Sequence, residues 1–324
     1  MRAVWLTEFG GPEVLVPGEA PEPAPGPGHV VVEVAYANIT FVETQFRAGL
    51  ASGPFRGEPP MIPGNGVGGT VVGVGPGVDR GLIGRQVVGS TGGNGGYAER
   101  ALVDAAGLYD VPDGLGLDAA VALLADGRTA TMLVRAARVR PGDRVLIEAA
   151  AGGVGTLLIQ LVRATGARVI AAAGGSRKVE LVRDLGADLV VDYHDPDWTG
   201  RLRATVAMVD VVFDGVGGGL GRAAFDLLGP GGRMVSFGLA SGEWADIPDE
   251  VAQARGVTLV RPRPSPQELR ADTVRALAEA AAGRLRPVIG QRFPLKRAAD
   301  AHAAMQSRAT LGKTLLMVQG ITTC

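Results

Sequence analysis

The chain has 324 residues, of which 46% are apolar and 20% charged, and its formal net charge is −1. A chain of this length can bury a sizeable core, and two domains are the default expectation. The near-neutral charge argues against a surface for nucleic acid or another polyanion. No apolar run approaches the roughly 20 residues that a membrane span needs. We therefore expect neither a nucleic acid nor a membrane as a partner.

The N-terminus and the cysteine content bear on the cellular compartment. The opening segment, MRAVWLTEFG, includes Glu8 and lacks the apolar core of a secretory signal peptide. The single cysteine is Cys324, so no disulfide can form within the chain. Both features are typical of a protein of the reducing cytoplasm, and we expect a cytoplasmic location.

The first part of the chain has the pattern of short strands separated by turns rich in glycine and proline. The predicted elements are, in order, two strands within 1–18 joined by a turn at 10–11, a loop at 17–28, a strand at 29–37, a short helix within 38–50, a long loop at 51–64, and strands at 68–77, 86–90, 98–103 and 107–111. Many short strands with such turns predict a compact antiparallel, barrel-like domain.

Beyond residue 118 the pattern becomes an alternation of apolar strands and helices. The predicted elements are a helix at 119–138, a strand at 144–149, a helix at 154–165, a strand at 168–173, a helix at 176–185, strands at 188–191 and 209–213, a helix at 219–228, strands at 233–237 and near 257–260, helices at 267–282 and 298–306, and a strand at 313–318. This alternation predicts a doubly wound parallel sheet in an α/β protein. We expect the last strand to return to the N-terminal domain, which gives one domain from 1–118 with 264–324 and another from 119–263.

The segment RVLIEAAAGGVG at 144–155 is the most informative motif. It combines a buried strand, a glycine turn and the start of a helix, although Ala150 replaces the first glycine of the usual G-x-G-x-x-G pattern. Gly152 allows a pyrophosphate to approach the backbone, and Gly155 allows the helix to pack closely on the strand. The N–H groups at the start of the helix then face the phosphates. The predicted dinucleotide contacts in this turn are Ala151, Gly152, Gly153, Val154 and Gly155.

Further motifs lie along nearly the whole chain. They are FVETQFRAG at 41–49, VGGTVVGVGPGV at 67–78, GYAE at 96–99, AAAGGVG at 149–155, VVFDGVG at 211–217, GRMVSFG at 232–238 and SRATLG at 307–312. Their order and spacing resemble the zinc-free quinone oxidoreductase (zeta-crystallin-like) branch of the medium-chain dehydrogenase/reductase superfamily. The resemblance implies a Rossmann domain that binds the cofactor, a GroES-like antiparallel barrel as catalytic domain, and a homodimer joined through the cofactor-domain sheets.

The residues argue against zinc. Zinc-dependent members of the superfamily use Cys and His ligands. Where those enzymes carry Gly-His-Glu, this chain has Gly64, Asn65 and Gly66, and no cysteine precedes Cys324. The histidines are His29, His194 and His302, and they show no ligand spacing. We predict no metal.

The end of the second strand of the alternating region indicates the cofactor. The strand at 168–173 is followed by Gly174, Gly175, Ser176, Arg177 and Lys178. No carboxylate lies at the end of this strand, where it would repel a 2′-phosphate. Two cations and a hydroxyl lie there instead, and this favours NADPH over NADH. In the alternative interpretation Ser176 only caps the helix and the cations are solvated. By resemblance, Lys178 occupies the position of a phosphate-binding lysine and Tyr193 that of a tyrosine beside the same phosphate.

The nicotinamide end of the site follows from the resemblance alone. It assigns to this end Gly127, Thr129, Val216, Phe237, Gly238, Leu239 and Lys313. Val216 and the segment 237–239 are expected to offer backbone groups to the carboxamide, and Lys313 to close over the cofactor from the other domain. For Thr129, a position inside a helix without contact to the cofactor is the alternative.

The expected reaction is hydride transfer to an already electrophilic substrate, because there is no metal to polarise a carbonyl. A quinone, an enone or another activated alkene is such a substrate. By resemblance, the segment at 40–45 of the related enzymes carries an Asn, an Asp and a Tyr. At the corresponding positions this chain has Thr40, Glu43 and Gln45. Gln45 can donate a hydrogen bond but no proton. We leave open water, the substrate and Tyr97 as the source of the proton.

These departures allow two functions. One is a specialised, biosynthetic reductase, in which Asp126 and Arg128 orient a polar substrate, unless the two form only a surface ion pair. The other is a non-catalytic NADPH-binding sensor or structural protein that has kept the pocket and lost the proton donor. An alcohol dehydrogenase is disfavoured, because ketone reduction in this superfamily generally depends on zinc.

Overall fold

The computed structural model describes residues 1–50, 55 and 57–318. Part of the loop predicted at 51–64 lies outside these residues, as does Cys324. In chain order the first elements are β1 (Arg2–Leu6), β2 (Leu15–Glu19), β3 (His29–Ile39), α1 (Phe41–Arg47), β4 (Gly66–Val74), β5 (Gln86–Ser90), β6 (Arg100–Asp104), β7 (Tyr109–Asp110) and α2 (Leu117–Ala137). The next are β8 (Arg144–Ile147), α3 (Gly153–Ala164), β9 (Arg168–Ala173), α4 (Ser176–Asp184), β10 (Leu189–Asp192), α5 (Trp198–Val206), β11 (Val209–Asp214), α6 (Gly218–Phe225) and β12 (Leu228–Ser236). The last are α7 (Asp249–Ala254), β13 (Thr258–Leu259), α8 (Pro266–Ala281), β14 (Gln291–Pro294), α9 (Ala298–Gln306) and β15 (Thr314–Met317).

The chain divides into two compact units. Unit 1 comprises Met1–Ala125 and Leu277–Cys324, and unit 2 comprises Asp126–Ala276. The boundaries fall inside α2 and α8. No helix in the described part of the chain is long and apolar enough to cross a membrane.

Unit 1 is organised around the long strand β3. Among the described residues its main sheet has the order β14-β15-β3-β4-β5-β7, and β6 also pairs with β3. The pairs are antiparallel except for β14 with β15. The register between β3 and β4 shifts twice, as expected where a sheet curves into a barrel. The predicted return of the last strand to the N-terminal domain is confirmed, because β15 pairs with β3.

A glycine of β4 makes this curvature possible. A Cβ atom added to Gly69 would lie 1.9 Å from the carbonyl oxygen of Glu33, so the two backbones approach more closely than any side chain allows. The alternate valines of β3, Val30, Val32 and Val34, face the core of the barrel and are buried. The valine-rich alternation therefore predicts the strand correctly, and the structure extends it to Ile39.

Unit 2 is built on a parallel sheet. Within the described residues its strand order is β10-β9-β8-β11-β12-β13, and the neighbouring pairs are parallel. Numbered from β8, this is the order 3-2-1-4-5-6 of the Rossmann fold, which confirms the predicted fold. The topological switch point lies between β8 and β11, where the strand order reverses. Ligands of such sheets bind at the carboxyl ends of the strands beside this point.

The structure differs from the prediction at four elements of unit 2, the helices α5, α6 and α7 and the strand β12. The pattern does not predict α5, whose sequence WTGRLRATV holds a glycine and several β-branched residues. It also misses the short helix α7. The helix predicted at 219–228 ends at Phe225, and β12 begins already at Leu228. The buried Leu227 and Leu228 continue the helical spacing, but Pro230 is incompatible with a longer helix.

Candidate active site

The glycine turn at the end of β8 has the geometry of a phosphate cradle. Gly152 is the N-cap of α3, and Ala149 adopts the left-handed conformation with φ +47°. A Cβ atom on Gly155 would lie 2.4 Å from the carbonyl oxygen of Ala149, so a side chain here would collide with the backbone of the turn. The first N–H groups of α3 have no partner within the helix and are the groups that bind phosphate in this fold. The turn therefore fits a dinucleotide.

The segment after β9 presents cations at the start of α4. Gly175, with φ +89°, is the N-cap of α4, so the interpretation of Ser176 as the cap is wrong. Ser176 and Arg177 are exposed and Lys178 is half-buried. Within the described part of the chain Arg177 forms no ion pair. The exposed guanidinium is thus available to an anionic ligand.

Two residues pack against Gly174 from the end of the neighbouring strand. A Cβ atom on Gly174 would lie 2.7 Å from Cε2 of Tyr193 and 2.6 Å from Nε2 of His194. The half-buried Tyr193 therefore stands next to the segment that opens α4, as expected for a residue beside a phosphate site there. Gly174 is needed because there is no space for a side chain.

A carboxylate from the end of β10, which the end of β9 alone does not reveal, also lies beside Gly175. Asp192, the last residue of β10, accepts hydrogen bonds from the N–H of Gly175 at 3.1 Å and of His194 at 2.9 Å. Burial acts to raise the pKa of Asp192, but these hydrogen bonds and His194 lower it below its ordinary value. The carboxyl ends of parallel neighbours meet at one edge of the sheet. The aspartate that ends β10 in the segment LVVD is therefore the sequence signal for this contact.

The loop after β11 is held by a buried carboxylate. Asp214 accepts hydrogen bonds from the N–H groups of Val216 and Gly217, at 3.0 and 2.7 Å, and from Oγ of Ser236 at 2.8 Å. The carbonyl oxygen of Val216 accepts from both N–H and Oγ of Ser241, each at 2.8 Å. Both backbone groups of Val216 therefore have partners within unit 2, and their use toward a carboxamide stays a prediction.

The segment 237–239 packs closely on this loop. A Cβ atom on Gly238 would lie 2.7 Å from the carbonyl oxygen of Gly215, so Gly238 is required for the contact. Phe237 and Leu239 are half-buried. The structure thus brings the predicted residues after β11 and β12 together within unit 2.

In unit 1 the predicted residue Thr40 serves the local structure of α1. Glu43 accepts hydrogen bonds from the N–H and the hydroxyl of Thr40, at 2.5 and 2.9 Å, and from the N–H of Asn65 at 3.0 Å. Burial raises the pKa of Glu43 above its ordinary value, although these hydrogen bonds and the charge of Lys313 act against it. The hydroxyl proton of Thr40 is therefore directed to Glu43.

Lys313 and Gln45 are largely enclosed. Lys313 is 3% exposed and its charge acts on Glu43, whereas the resemblance predicts it at the cofactor. Gln45, on the same helix as Glu43, is 6% exposed. Its amide remains the predicted substrate contact in this helix.

Tyr97 is unsuited to supply a proton. It is completely buried, and its hydroxyl is hydrogen-bonded to Nε2 of His302 at 2.9 Å. Burial, followed by the charge of Glu43, raises the pKa of Tyr97 well above its ordinary value. Burial and the charge of Arg47 lower the pKa of His302 to about 3, so the imidazole is neutral. The pair lies in the core of the barrel, which argues against Tyr97 as a proton source.

The remaining predicted residues lie on α2. Gly127 is buried and Thr129 is half-buried in the middle of this helix. Asp126 is only 8% exposed, which does not fit a surface ion pair with the half-buried Arg128. As for metals, no group of three or more His, Cys, Asp or Glu side chains among the described residues could hold an ion.

A Rossmann sheet with a glycine turn, in one chain with an antiparallel barrel, defines the class of two-domain dehydrogenases and reductases that use a dinucleotide. The family described as "Alcohol dehydrogenase GroES-like domain" matches residues 26–113, and the family described as "Zinc-binding dehydrogenase" matches residues 185–316. The chain belongs to the medium-chain dehydrogenase/reductase family, in its quinone oxidoreductase branch. The resemblance drawn from the motifs is thereby confirmed.

Similar proteins match over nearly the whole chain. A 2-haloacrylate reductase of Burkholderia sp. is 34% identical, covering 98% of this chain and 99% of its own. The structure of mycobacterial Rv1454c complexed with NADPH is 33% identical with a TM-score of 0.89, covering 98% of this chain and 100% of that one. The structure of Escherichia coli quinone oxidoreductase complexed with NADPH is 30% identical with a TM-score of 0.90 and the same coverage.

Proposed function

We propose that the chain is an NADPH-dependent, metal-independent reductase that transfers hydride to a quinone or an activated alkene. The observation that carries the proposal is the cradle of Gly152 and Gly155 at the switch point of the sheet. The NADPH complexes of two similar structures support the choice of cofactor. When bound, NADPH supplies the hydride.

The residues of unit 2 bind and orient the cofactor. The N–H groups that begin α3 receive the pyrophosphate, since a helix N-terminus with a glycine turn stabilises anionic oxygens. The exposed Arg177 and the neighbouring Lys178 receive the 2′-phosphate, beside Tyr193. Asp192 keeps the N-cap residue Gly175 in place. Because Asp192 carries negative charge near this position, both cations are needed for a preference for the phosphorylated dinucleotide.

The substrate class follows from what a site without a metal can reduce. Quinones and 2-haloacrylates, which name two of the similar proteins, share an electron-poor carbon–carbon double bond next to a carbonyl or carboxylate. Such a bond accepts hydride without Lewis-acid help. Negative charge then develops on the substrate oxygen, where a hydrogen-bond donor stabilises it. The amide of Gln45 is the donor that we propose, and the proton comes from water because Gln45 cannot release one.

The test is the oxidation of NADPH by the purified protein with a panel of simple quinones, enones and 2-haloacrylates. We expect turnover with at least one class and no effect of strong chelators. Binding of NADPH without turnover of any of them would overturn the reductase and favour the non-catalytic binder. Rapid turnover of simple quinones alone would overturn the idea of a specialised biosynthetic enone reductase.

The location and assembly are also part of the proposal. We propose a cytoplasmic homodimer, as the resemblance implies for this branch. Light scattering coupled to size-exclusion chromatography tests the assembly. The mass of a dimer at micromolar concentration is the expected result, and the mass of a monomer under the same conditions would contradict it.

A further inference from the structure

Two carboxyl groups meet inside unit 2, at the point where β8 and β11 end. These strands are parallel neighbours in which Ile147 lies opposite Phe213, so the next residues, Glu148 and Asp214, stand side by side. The N–H of Glu148 donates to the carbonyl oxygen of Phe213 at 3.0 Å and fixes this arrangement. Glu148 is 1% exposed and Asp214 is completely buried. Two acidic side chains are thus withdrawn from water at the edge that carries the glycine turn.

The hydrogen bonds of the pair are unevenly divided. Asp214 accepts from the N–H groups of Val216 and Gly217 and from Oγ of Ser236. In the part of the chain that the structure describes, no N–H or O–H group donates to either carboxyl oxygen of Glu148. Asp214, which the strand register sets beside it, is the side chain with which Glu148 can share a proton in a carboxyl–carboxyl hydrogen bond. Such a bond needs one proton.

The proton resides on Glu148. The three donors around Asp214 stabilise its carboxylate, whereas an ionised Glu148 would be a buried anion without a donor. Burial, then the hydrogen bond with Asp214 and its charge, raise the pKa of Glu148 well above its ordinary value. Asp214 is the acidic side chain beside Glu148, and helix α6 covers the carboxyl group of Asp214 on its other side. A Cβ atom on Gly221 of α6 would lie 2.8 Å from a carboxyl oxygen of Asp214.

We propose that Glu148 is a positioning residue for cofactor binding, which keeps its proton at neutral pH and donates it to Asp214. The hydrogen bond then ties the glycine turn, which starts with the left-handed Ala149, to the loop at Val216 and Gly217. The inference rests on the proposed function, because the joined segments are those proposed to receive the dinucleotide. Loss of the proton would put a second anion beside Asp214, loosen the turn and repel the phosphates of the cofactor.

The variant that tests this role is Glu148→Gln, because the amide can donate to Asp214 and cannot ionise. Above the pH at which Glu148 ionises, the Kd of the wild-type protein for NADPH should rise up to tenfold per pH unit. In Glu148→Gln this alkaline limb should disappear while the neutral Kd stays within a few-fold of wild type. The matched control Glu250→Gln makes the same chemical change at an exposed position of α7 and should keep the limb.

A second measurement does not depend on the cofactor. The infrared absorption spectrum of the wild-type protein at neutral pD should contain the carbonyl stretch of a protonated carboxylic acid. The difference between this spectrum and that of Glu148→Gln should show that the variant has lost the band of Glu148. Absence of the band in the wild-type protein would overturn the proposal even if the variant did not fold. NADPH binding with an unchanged alkaline limb in Glu148→Gln would overturn this inference alone. Failure of the wild-type protein to bind NADPH at neutral pH, with the band present, would instead overturn the proposed function and with it the role in binding.

Discussion

Replacement of Gly155 by alanine perturbs the phosphate cradle in a way whose size follows from the structure. The new methyl carbon would lie 2.4 Å from the carbonyl oxygen of Ala149 and 2.7 Å from two backbone atoms of Ala150. Ordinary contacts of a Cβ atom begin near 3.4 Å, so the turn or α3 must move by about 1 Å. Backbone atoms cannot rotate away, and Ala150 is anchored by a hydrogen bond to Ala172. We expect a loss of about 1–3 kcal/mol in the free energy of unfolding, typical of overpacking.

Two matched variants separate stability from binding. In Gly152→Ala the added carbon approaches Ala149 only to 3.2 Å, so the stability should change by less than about 1 kcal/mol while NADPH, which needs this surface, binds at least tenfold more weakly. Gly219→Ala meets open space on the exposed side of α6 and should leave stability and binding unchanged or slightly improved. Urea unfolding and NADPH titration of the three variants give the answer. A wild-type unfolding midpoint for Gly155→Ala would refute the geometry of the turn.

Further expectations concern charges and buried hydrogen bonds. Arg177→Ser and Lys178→Ser should each weaken NADPH binding by about 1–2 kcal/mol and leave NADH binding within twofold, as fluorescence titration measures; an equal loss for both cofactors would contradict the 2′-phosphate site. Because the pKa of Glu148 is raised in the folded protein, its contribution to stability is full below the ordinary pKa of a glutamate and is lost as the pH rises toward the raised value. The free energy of unfolding of the wild-type protein should therefore fall, relative to that of Glu148→Gln, by up to about 1.4 kcal/mol per pH unit over that range. Parallel curves of unfolding free energy against pH for the two proteins would refute the raised pKa. Tyr97→Phe leaves His302 without its hydroxyl partner and should cost about 1–3 kcal/mol of stability without altering the pH profile of kcat. A lost limb in that profile would restore Tyr97 as a proton source.

The fold was predictable because its signals are local. The valines of β3 alternate over a run of adjacent residues, and the turn at 149–155 lies within one strand–turn–helix unit. The errors also have local causes. The helix α5 is missed because its helix propensity is low. The helix α6 is predicted too long because Leu228 fits its helical spacing, although Pro230 prevents a longer helix and Leu228 already begins β12.

The polar partners of the site were not predictable, because they are joined only by tertiary structure. Tyr97 and His302 are separated by 205 positions in the sequence, so nothing near Tyr97 indicates that its hydroxyl is occupied. Asp192 reaches Gly175 from the neighbouring strand. Glu148 reads as one polar residue in an apolar run, and only the register of β8 with β11 sets it beside Asp214. Pairing of parallel strands is non-local, so these contacts carry no sequence spacing.

Calorimetric titration of the purified protein with NADPH and, in parallel, with NADH tests most directly the claim that unit 2 holds a phosphorylated dinucleotide. The cradle at Gly152 and the cations at 177–178 predict saturable binding of NADPH with an affinity at least tenfold higher than that of NADH. An absence of binding heat with NADPH at several temperatures, or equal affinities for the two dinucleotides, would contradict the account.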